Sequence, residues 1–385
     1  MRYLFAPIAS TGHLFPLVPL ARALMAQGHD VAVATAAAYA GAVETAGLTH
    51  LPCGPDEPTI SSAFAPAAAE AQELPIPERR PFMFAKRFGE IAAPMTIGEL
   101  VQVCKNWSPD VVVYDTASLA APLAAAVVGA RSVNHSWGPL FPAAVVANAA
   151  RTVAPLWKEW GVEPDATAGL YRDLYVDIAP PSMQYAEIEQ VNDRILMRPA
   201  GYDGASGSSE PVDLPTGDRL IYVTLGTVGL FNGPGMFRVI LDGLQDIDAN
   251  VVLTIGPRND PADLGEVPPN VSVFQYLPQS VVLQHAETVI THGGAGSVLG
   301  AARHGCPQLN LPTGADQFEN AQQHASTGAG VFLTPPEVTA DAVRSAVRSL
   351  LDDSSYQDAA DALADEISNM PDPDTAARRL VAALS

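Results

Sequence analysis

Thr288-Val289-Ile290-Thr291-His292-Gly293-Gly294-Ala295-Gly296-Ser297 reads as a short apolar strand, a glycine-rich turn and the start of a helix. Elements in that order leave the first backbone N–H groups of the helix unpaired and aimed at one spot, where the helix dipole favours an anion. The small residues let backbone approach a phosphate closely, and His292 and Ser297 add side-chain donors. A tight strand-to-helix turn with no ligand is the plain alternative, because a glycine-rich turn alone is a weak signal. The rest of the chain has to decide.

Working outward, the same strand-then-helix alternation runs through most of the 385 residues. Tyr3 to Ala9 is a buried strand, Ser10-Thr11-Gly12-His13 a turn, Pro16 to Gln27 an amphipathic helix closed by Gly28, and Asp30 to Thr35 the next strand. An opening βαβ unit favours a parallel sheet covered by helices on both faces. Further strands are expected at Val111 to Tyr114, Arg131 to Asn134, Tyr175 to Ile178 and Arg194 to Met197. The Gly/Ser/Pro-rich stretch 199–218 breaks the pattern, which restarts with Arg219 to Leu225, Val251 to Ile255, Val271 to Phe274, Val289 to Thr291, Gln308 to Leu311 and Val331 to Leu333. Helices near 339–351, 354–368 and 374–384 close the chain. The expected organisation is therefore an N-terminal domain 1–205, a linker 206–218 and a C-terminal domain 219–385, with the last helix a candidate to pack back on the first domain. Between Cys53 and Pro94 no clean period emerges, and a long functional loop region is expected there.

Composition narrows the function. Formal net charge is −21, from 21 basic and 42 acidic residues, which argues against DNA or RNA as a partner and means that a bound phosphate must be held by local geometry. Eight carboxylates and no Lys or Arg fall within 352–374, and a solvated helical face accounts for them better than a metal site. Cys53, Cys104 and Cys306 form no CxxC pair, so neither a disulfide framework nor a structural zinc is expected, and a reducing cytoplasm fits. No apolar run reaches the ~20 residues a membrane span needs, and the N-terminus lacks signal-peptide features.

In open parallel sheets ligands bind beyond the carboxyl ends of the strands. The polar clusters lie there: Gly12-His13 after the first strand, Asp115 after Val111-Val112-Val113-Tyr114, Gly226-Thr227 after Tyr222-Val223-Thr224-Leu225, and the His292 turn. His13 can accept a proton near neutral pH, and Asp115 can hold its other ring nitrogen and support the imidazolium. The plainer roles are a helix-start histidine and an N-cap aspartate. No Gly-x-Ser-x-Gly follows a strand, and Ser10-Thr11-Gly12-His13 is not the Gly-x-Gly-x-x-Gly of a dinucleotide enzyme.

Together these segments resemble, over nearly the whole chain, the nucleotide-sugar-dependent glycosyltransferases of family 1 with the GT-B fold, and in particular actinobacterial natural-product members. Gly12-His13-Leu14-Phe15-Pro16 is similar to the family's Gly-His-x-x-Pro element with its catalytic base, and Asp115 stands where the family has the partner carboxylate. Leu225-Gly226-Thr227 resembles the loop that touches donor phosphates, and Tyr276-Leu277-Pro278-Gln279 the segment that stacks on and bonds the base. His292, Gly293, Gly294, Gly296 and Ser297 resemble the pyrophosphate turn, and Asp316-Gln317 the pair that binds sugar hydroxyls. Plant members carry Asn and Glu where this chain has Gly296 and Gly300, and Tyr276 replaces their usual Trp.

The resemblance implies an α/β fold of two Rossmann-like doubly wound parallel-sheet domains facing an interdomain cleft. It implies an inverting, metal-independent transferase that needs no cofactor besides the NDP-sugar co-substrate, a TDP- or UDP-linked sugar, in particular a deoxysugar. His13 would deprotonate the acceptor hydroxyl with Asp115 in support. The acceptor would be a small hydrophobic aglycone against the first domain, where Gly12, Phe82, Phe84, Phe88, Trp137 and Phe141 are the candidate contacts, core packing being the plainer role of each aromatic. A nucleotide-sugar epimerase of the same fold and a non-catalytic helper protein are the alternatives. The oligomeric state stays open, with a homodimer as one candidate.

Overall fold

A computed structural model describes residues 1–204, 214–215, 219–226, 234–256 and 259–385. The chain forms two compact units, one of Met1–Ile178, Ala186–Ala205 and Pro371–Ser385, the other of Ala179–Tyr185 and Ser206–Met370. Most of the expected linker 206–218, and Thr227, lie outside the described residues.

The first unit holds a seven-stranded sheet built from β1 (Arg2–Phe5), β2 (Asp30–Thr35), β3 (Thr49–Pro52), β4 (Val111–Asp115), β5 (Arg131–His135), β6 (Leu174–Asp177) and β7 (Arg194–Leu196). Their order is β3-β2-β1-β4-β5-β6-β7, and every pairing is parallel. The second unit repeats the design with β8 (Leu220–Thr224), β9 (Asn250–Thr254), β10 (Val271–Phe274), β11 (Thr288–Thr291), β12 (Gln308–Asn310) and β13 (Gly330–Phe332), in the parallel order β10-β9-β8-β11-β12-β13. Central strands such as β4 and β8 are buried at every position, which is why they are written as unbroken apolar runs and not as alternating ones. In each sheet the order turns back between the first strand and the fourth, β1 and β4 in one and β8 and β11 in the other, so the clusters named above lie at the carboxyl ends on both sides of the switch point.

The segment from Cys53 to Pro94 is not an irregular loop. It contains helices Glu57–Gln72 and Ile76–Phe84, then eight residues of π-helix, Ala85–Ala92, that run straight into the helix Ala93–Trp107. Its period is hidden in the sequence because alanine contributes little hydrophobic contrast and because Pro66 and Pro81 lie inside helices. The acidic run 352–374 belongs to helical surface: the helix Ser354–Asn369 buries Ala360, Leu363 and Ile367, while Asp358, Asp361 and Asp365 are exposed.

The last helix, Pro373–Leu384, packs on the helix Val18–Ala26 in the first unit, with Ala376, Ala377 and Leu380 fully buried. Gln27 Nε2 donates to the Asp374 carbonyl at 2.9 Å at the same junction. Leu380→Ala is expected to cost about 2–5 kcal/mol, through lost burial and the cavity left behind. A lowered urea midpoint checks it.

Candidate functional site

In the first unit, β1 ends at Phe5, the next N–H, that of Ala6, donates to the Val113 carbonyl at 2.8 Å, and the chain then turns into the short helix Thr11–Leu14. Leu14 is buried and anchors that helix, and the His13 side chain stays 19% exposed. Asp115, the last residue of β4, is fully buried. Its Oδ2 accepts the Ile8 N–H at 2.8 Å, and its Oδ1 accepts the Ala117 N–H at 2.9 Å and His13 Nδ1 at 2.8 Å. An ionised carboxylate only accepts, so Nδ1 of His13 carries the proton and Nε2 is the ring's acceptor. Asp115 thus makes a local turn contact and also holds His13, which a simple N-cap would not do.

Aromatic rings surround the imidazole. Trp137 meets it in a T-shaped contact with centroids 4.6 Å apart, and Phe88 lies at 6.0 Å. Phe84 touches Phe88 and Phe141 at 5.1 Å each, and Phe141 touches Trp137 at 5.2 Å. Phe84 and Phe141 are buried in the core, whereas Phe82 lies outside this ring cluster beside Lys86. Gly12 is exposed, with open space around it.

A shallow, solvent-open pocket lies at the carboxyl ends of β1, β2 and β3, lined largely by small residues such as Ala9, Ala34, Ala36 and Ala93. Phe88 and Ile8 also line it. Phe82, Phe84, Trp137 and Phe141 do not, because the pocket is walled by the sheet ends and the π-helical segment, and not by the ring cluster behind Phe88.

In the second unit, Gly294 caps the helix Ala295–Arg303. The N–H groups of Ser297 and Val298 return to the Gly294 carbonyl at 3.0 Å, so those of Ala295 and Gly296 are left without an intrahelical acceptor. Gly293 has φ +81°, and a Cβ there would sit 2.9 Å from the Gln317 carbonyl oxygen. Gly226 has φ +75°, and its Cβ would sit 2.7 Å from the His292 ring. Glycine is required at both positions by conformation and by space. His292 is held down to about 4 by burial, against the opposing pull of Asp316 and a hydrogen bond to the Thr224 carbonyl, so near neutral pH the ring is uncharged. Its Nδ1 lies 3.3 Å from Thr291 Oγ1. These contacts tie the ends of β8 and β11 together behind the turn.

Asp316 and Gln317 stand at the start of the helix Gln317–Ser326, just after Ala315, whose φ of +53° is left-handed. Gln317 is buried and its Oε1 accepts from Thr313 N–H, Thr313 Oγ1 and Gly314 N–H, at 2.8, 3.2 and 3.1 Å. The sequence alone did not single out Asn320, whose Nδ2 donates to the Gly293 carbonyl at 3.0 Å and to Asp316 Oδ2 at 2.8 Å. Its one available signal was the four-residue spacing from Asp316, which puts both on one helix face. Gln279 Nε2 reaches the Ser297 carbonyl at 3.4 Å, across the space that a larger residue at Gly300 would crowd. Gly296 faces open space. Tyr276 is 43% exposed, whereas Leu277 is buried in a core cluster with Tyr222 and Val252. Among the described residues, no cluster of three or more His, Cys, Asp and Glu could hold a metal ion, and no helix is long and apolar enough to cross a membrane.

Comparison with known proteins shows which family the chain belongs to. The erythromycin biosynthesis protein CIII-like N-terminal domain matches residues 22–226 and the corresponding C-terminal domain residues 238–383. The chain belongs to this family of glycosyltransferases. The L-demethylnoviosyl transferase of Streptomyces niveus is 32% identical over 389 residues, covering 99% of this chain and 98% of the relative. The TDP-daunosamine transferase DnrS of Streptomyces peucetius is 30% identical over 414 residues, covering 97% and 94%. The crystal structure of the Streptomyces sp. SF2575 glycosyltransferase SsfS6 with thymidine diphosphate matches with a TM-score of 0.80 at 26% identity, over 99% of each chain. The two doubly wound units are those of a GT-B natural-product glycosyltransferase, as expected.

Three histidines of this enzyme, His135, His292 and His324, are each pushed down to about 4, in every case chiefly by burial. Above about pH 6.5 they are neutral in folded and unfolded chains alike and cost nothing. Between about 6.5 and 4 the unfolded chain binds protons that the folded one refuses, so stability falls as pH drops through that window. Urea midpoints at pH 8, 7, 6 and 5 should stay level from 8 to 7 and then decline; a flat profile down to pH 5 contradicts the burial argument.

Proposed function

We infer that this glycosyltransferase is an inverting member of glycosyltransferase family 1 that moves a deoxysugar from a thymidine diphosphate sugar to a hydroxyl of a small apolar natural product, without a divalent metal. The observation that carries it is the His13–Asp115 pair: a histidine with one nitrogen bonded at 2.8 Å to a buried carboxylate and the other left to take a proton. The first unit would bind the acceptor and the second the donor.

As the acceptor oxygen attacks the anomeric carbon from the face opposite the diphosphate, His13 Nε2 takes its proton, the bond from the anomeric carbon to the phosphate oxygen breaks, and the configuration inverts. Asp115 balances the imidazolium. The charge left on the diphosphate would be met by the Ala295 and Gly296 N–H groups, the Ser297 hydroxyl, Thr227 and the His292 turn, at the positive end of a helix dipole. Tyr276 and Gln279 would receive the nucleoside, and Asp316 with Gln317 the sugar hydroxyls. Thymidine over uridine is favoured by the names of the relatives, a TDP-daunosamine transferase and an enzyme solved with thymidine diphosphate. An epimerase or a non-catalytic helper is less well supported, since the named relatives are transferases and the base pair is intact.

His13→Ala should lower kcat by about 10²- to 10⁴-fold, the usual share of a general base, while nucleotide binding persists; unchanged turnover removes His13 as the base. In a thermal-shift panel, thymidine diphosphate should raise the melting temperature more than uridine diphosphate at equal concentration. Activity that survives excess EDTA, read by product formation, checks metal independence.

A further inference from the structure

We propose that Trp137, braced by His135 through the Ser136 carbonyl, is a positioning residue that fixes the plane of the His13 imidazole. It rests on His13 being the base. A single hydrogen bond at Nδ1 restrains one atom of the ring and leaves the ring free to tilt about that bond, carrying Nε2 away from an acceptor hydroxyl. A second, lateral contact is what fixes the plane, and Trp137 supplies it, T-shaped at 4.6 Å and at an interplanar angle of 73°. Phe88 closes another side at 6.0 Å.

Trp137 can serve only if it is itself held, and the residue before it is pinned on every polar group. The Ser136 N–H donates to the Val176 carbonyl at 2.9 Å, and its Oγ accepts the Ile178 N–H at 2.9 Å. Its carbonyl accepts His135 Nδ1–H at 2.6 Å. That carbonyl belongs to the peptide joining Ser136 to Trp137, so the bond from His135 sets the plane from which the indole springs. His135 is fully buried, its Nε2 has no partner among the described residues, and it is the register neighbour of Asp115 across β4 and β5. The contacts therefore close a ring: Asp115 holds His13, His13 abuts Trp137, Trp137 hangs from a peptide fixed by His135, and His135 pairs back to Asp115 through the sheet. This assigns Trp137 to the base, in place of the acceptor wall expected for it, and it gives a use to a buried histidine that the reaction itself does not engage.

The test is steady-state kinetics of Trp137→Leu, Trp137→Phe, His135→Asn and His135→Leu beside His13→Ala, with melting temperature and thymidine diphosphate binding as checks of folding. Trp137→Leu, which removes the planar ring, should lower kcat by at least about 10-fold, in line with what small misplacements of reacting groups cost, with the acceptor KM within about twofold. Trp137→Phe keeps an aromatic edge and should recover most of kcat. His135→Asn, whose amide N–H can stand where Nδ1–H stood, should stay near wild type, whereas His135→Leu should fall with Trp137→Leu. A raised acceptor KM with unchanged kcat in Trp137→Leu would overturn the proposal in favour of an acceptor wall. Wild-type kinetics in Trp137→Leu, with His13→Ala inactive, overturns the positioning role alone. An active His13→Ala overturns both it and the base on which it rests.

Discussion

A carboxylate with no exposed surface must be satisfied by the protein around it, because an unpaired buried charge costs several kcal/mol. Asp115 meets that demand with two backbone N–H groups, from Ile8 and Ala117, and one imidazole, His13. Each partner depends on a different part of the fold. Ile8 is in place because β1 and β4 pair in register, Ala117 because the chain turns sharply after β4, and His13 because the turn after β1 begins a helix at Thr11. The order of strands around the switch point is thus what brings His13 and Asp115 together at the carboxyl end of the first sheet.

The second unit solves a different problem with the same architecture. Its turn presents unpaired N–H groups, which demands that backbone, not side chains, fill the space around them. Gly293 and Gly226 permit the close approaches to Gln317 and His292, and Asn320 ties the turn to Asp316. The half-buried His292, neutral near pH 7, adds a dipole without adding charge. A pre-set array of neutral dipoles is suited to charge that develops late in a reaction, since nothing need reorganise when it appears.

Much of this was legible along the chain. Parallel strands buried on both faces have to be apolar throughout, so β4, β8 and β11 stand out, and the polar residue ending each run marks the sheet edge where ligands collect. His13, Asp115 and His292 were visible for that reason. The helices between 57 and 107 were not, because alanine and proline blur the helical period even where packing enforces a helix. Asn320 and His135 were invisible for another reason. Their value lies in which carbonyl they reach, and neither belongs to a motif.

By itself, then, the sequence determined the two parallel-sheet units, the places where polar residues end apolar strands, and the glycines that a close-approach turn needs, since all three follow from local periodicity and backbone sterics. Only the tertiary structure decided that Asp115 holds His13, that Trp137 stands against the imidazole and not along the pocket, and that Phe88 rides on a π-helical segment. These depend on contacts between residues far apart along the chain, 102 positions in the case of His13 and Asp115. No local rule carries that information: it exists once strand register and helix packing have chosen which side chains meet.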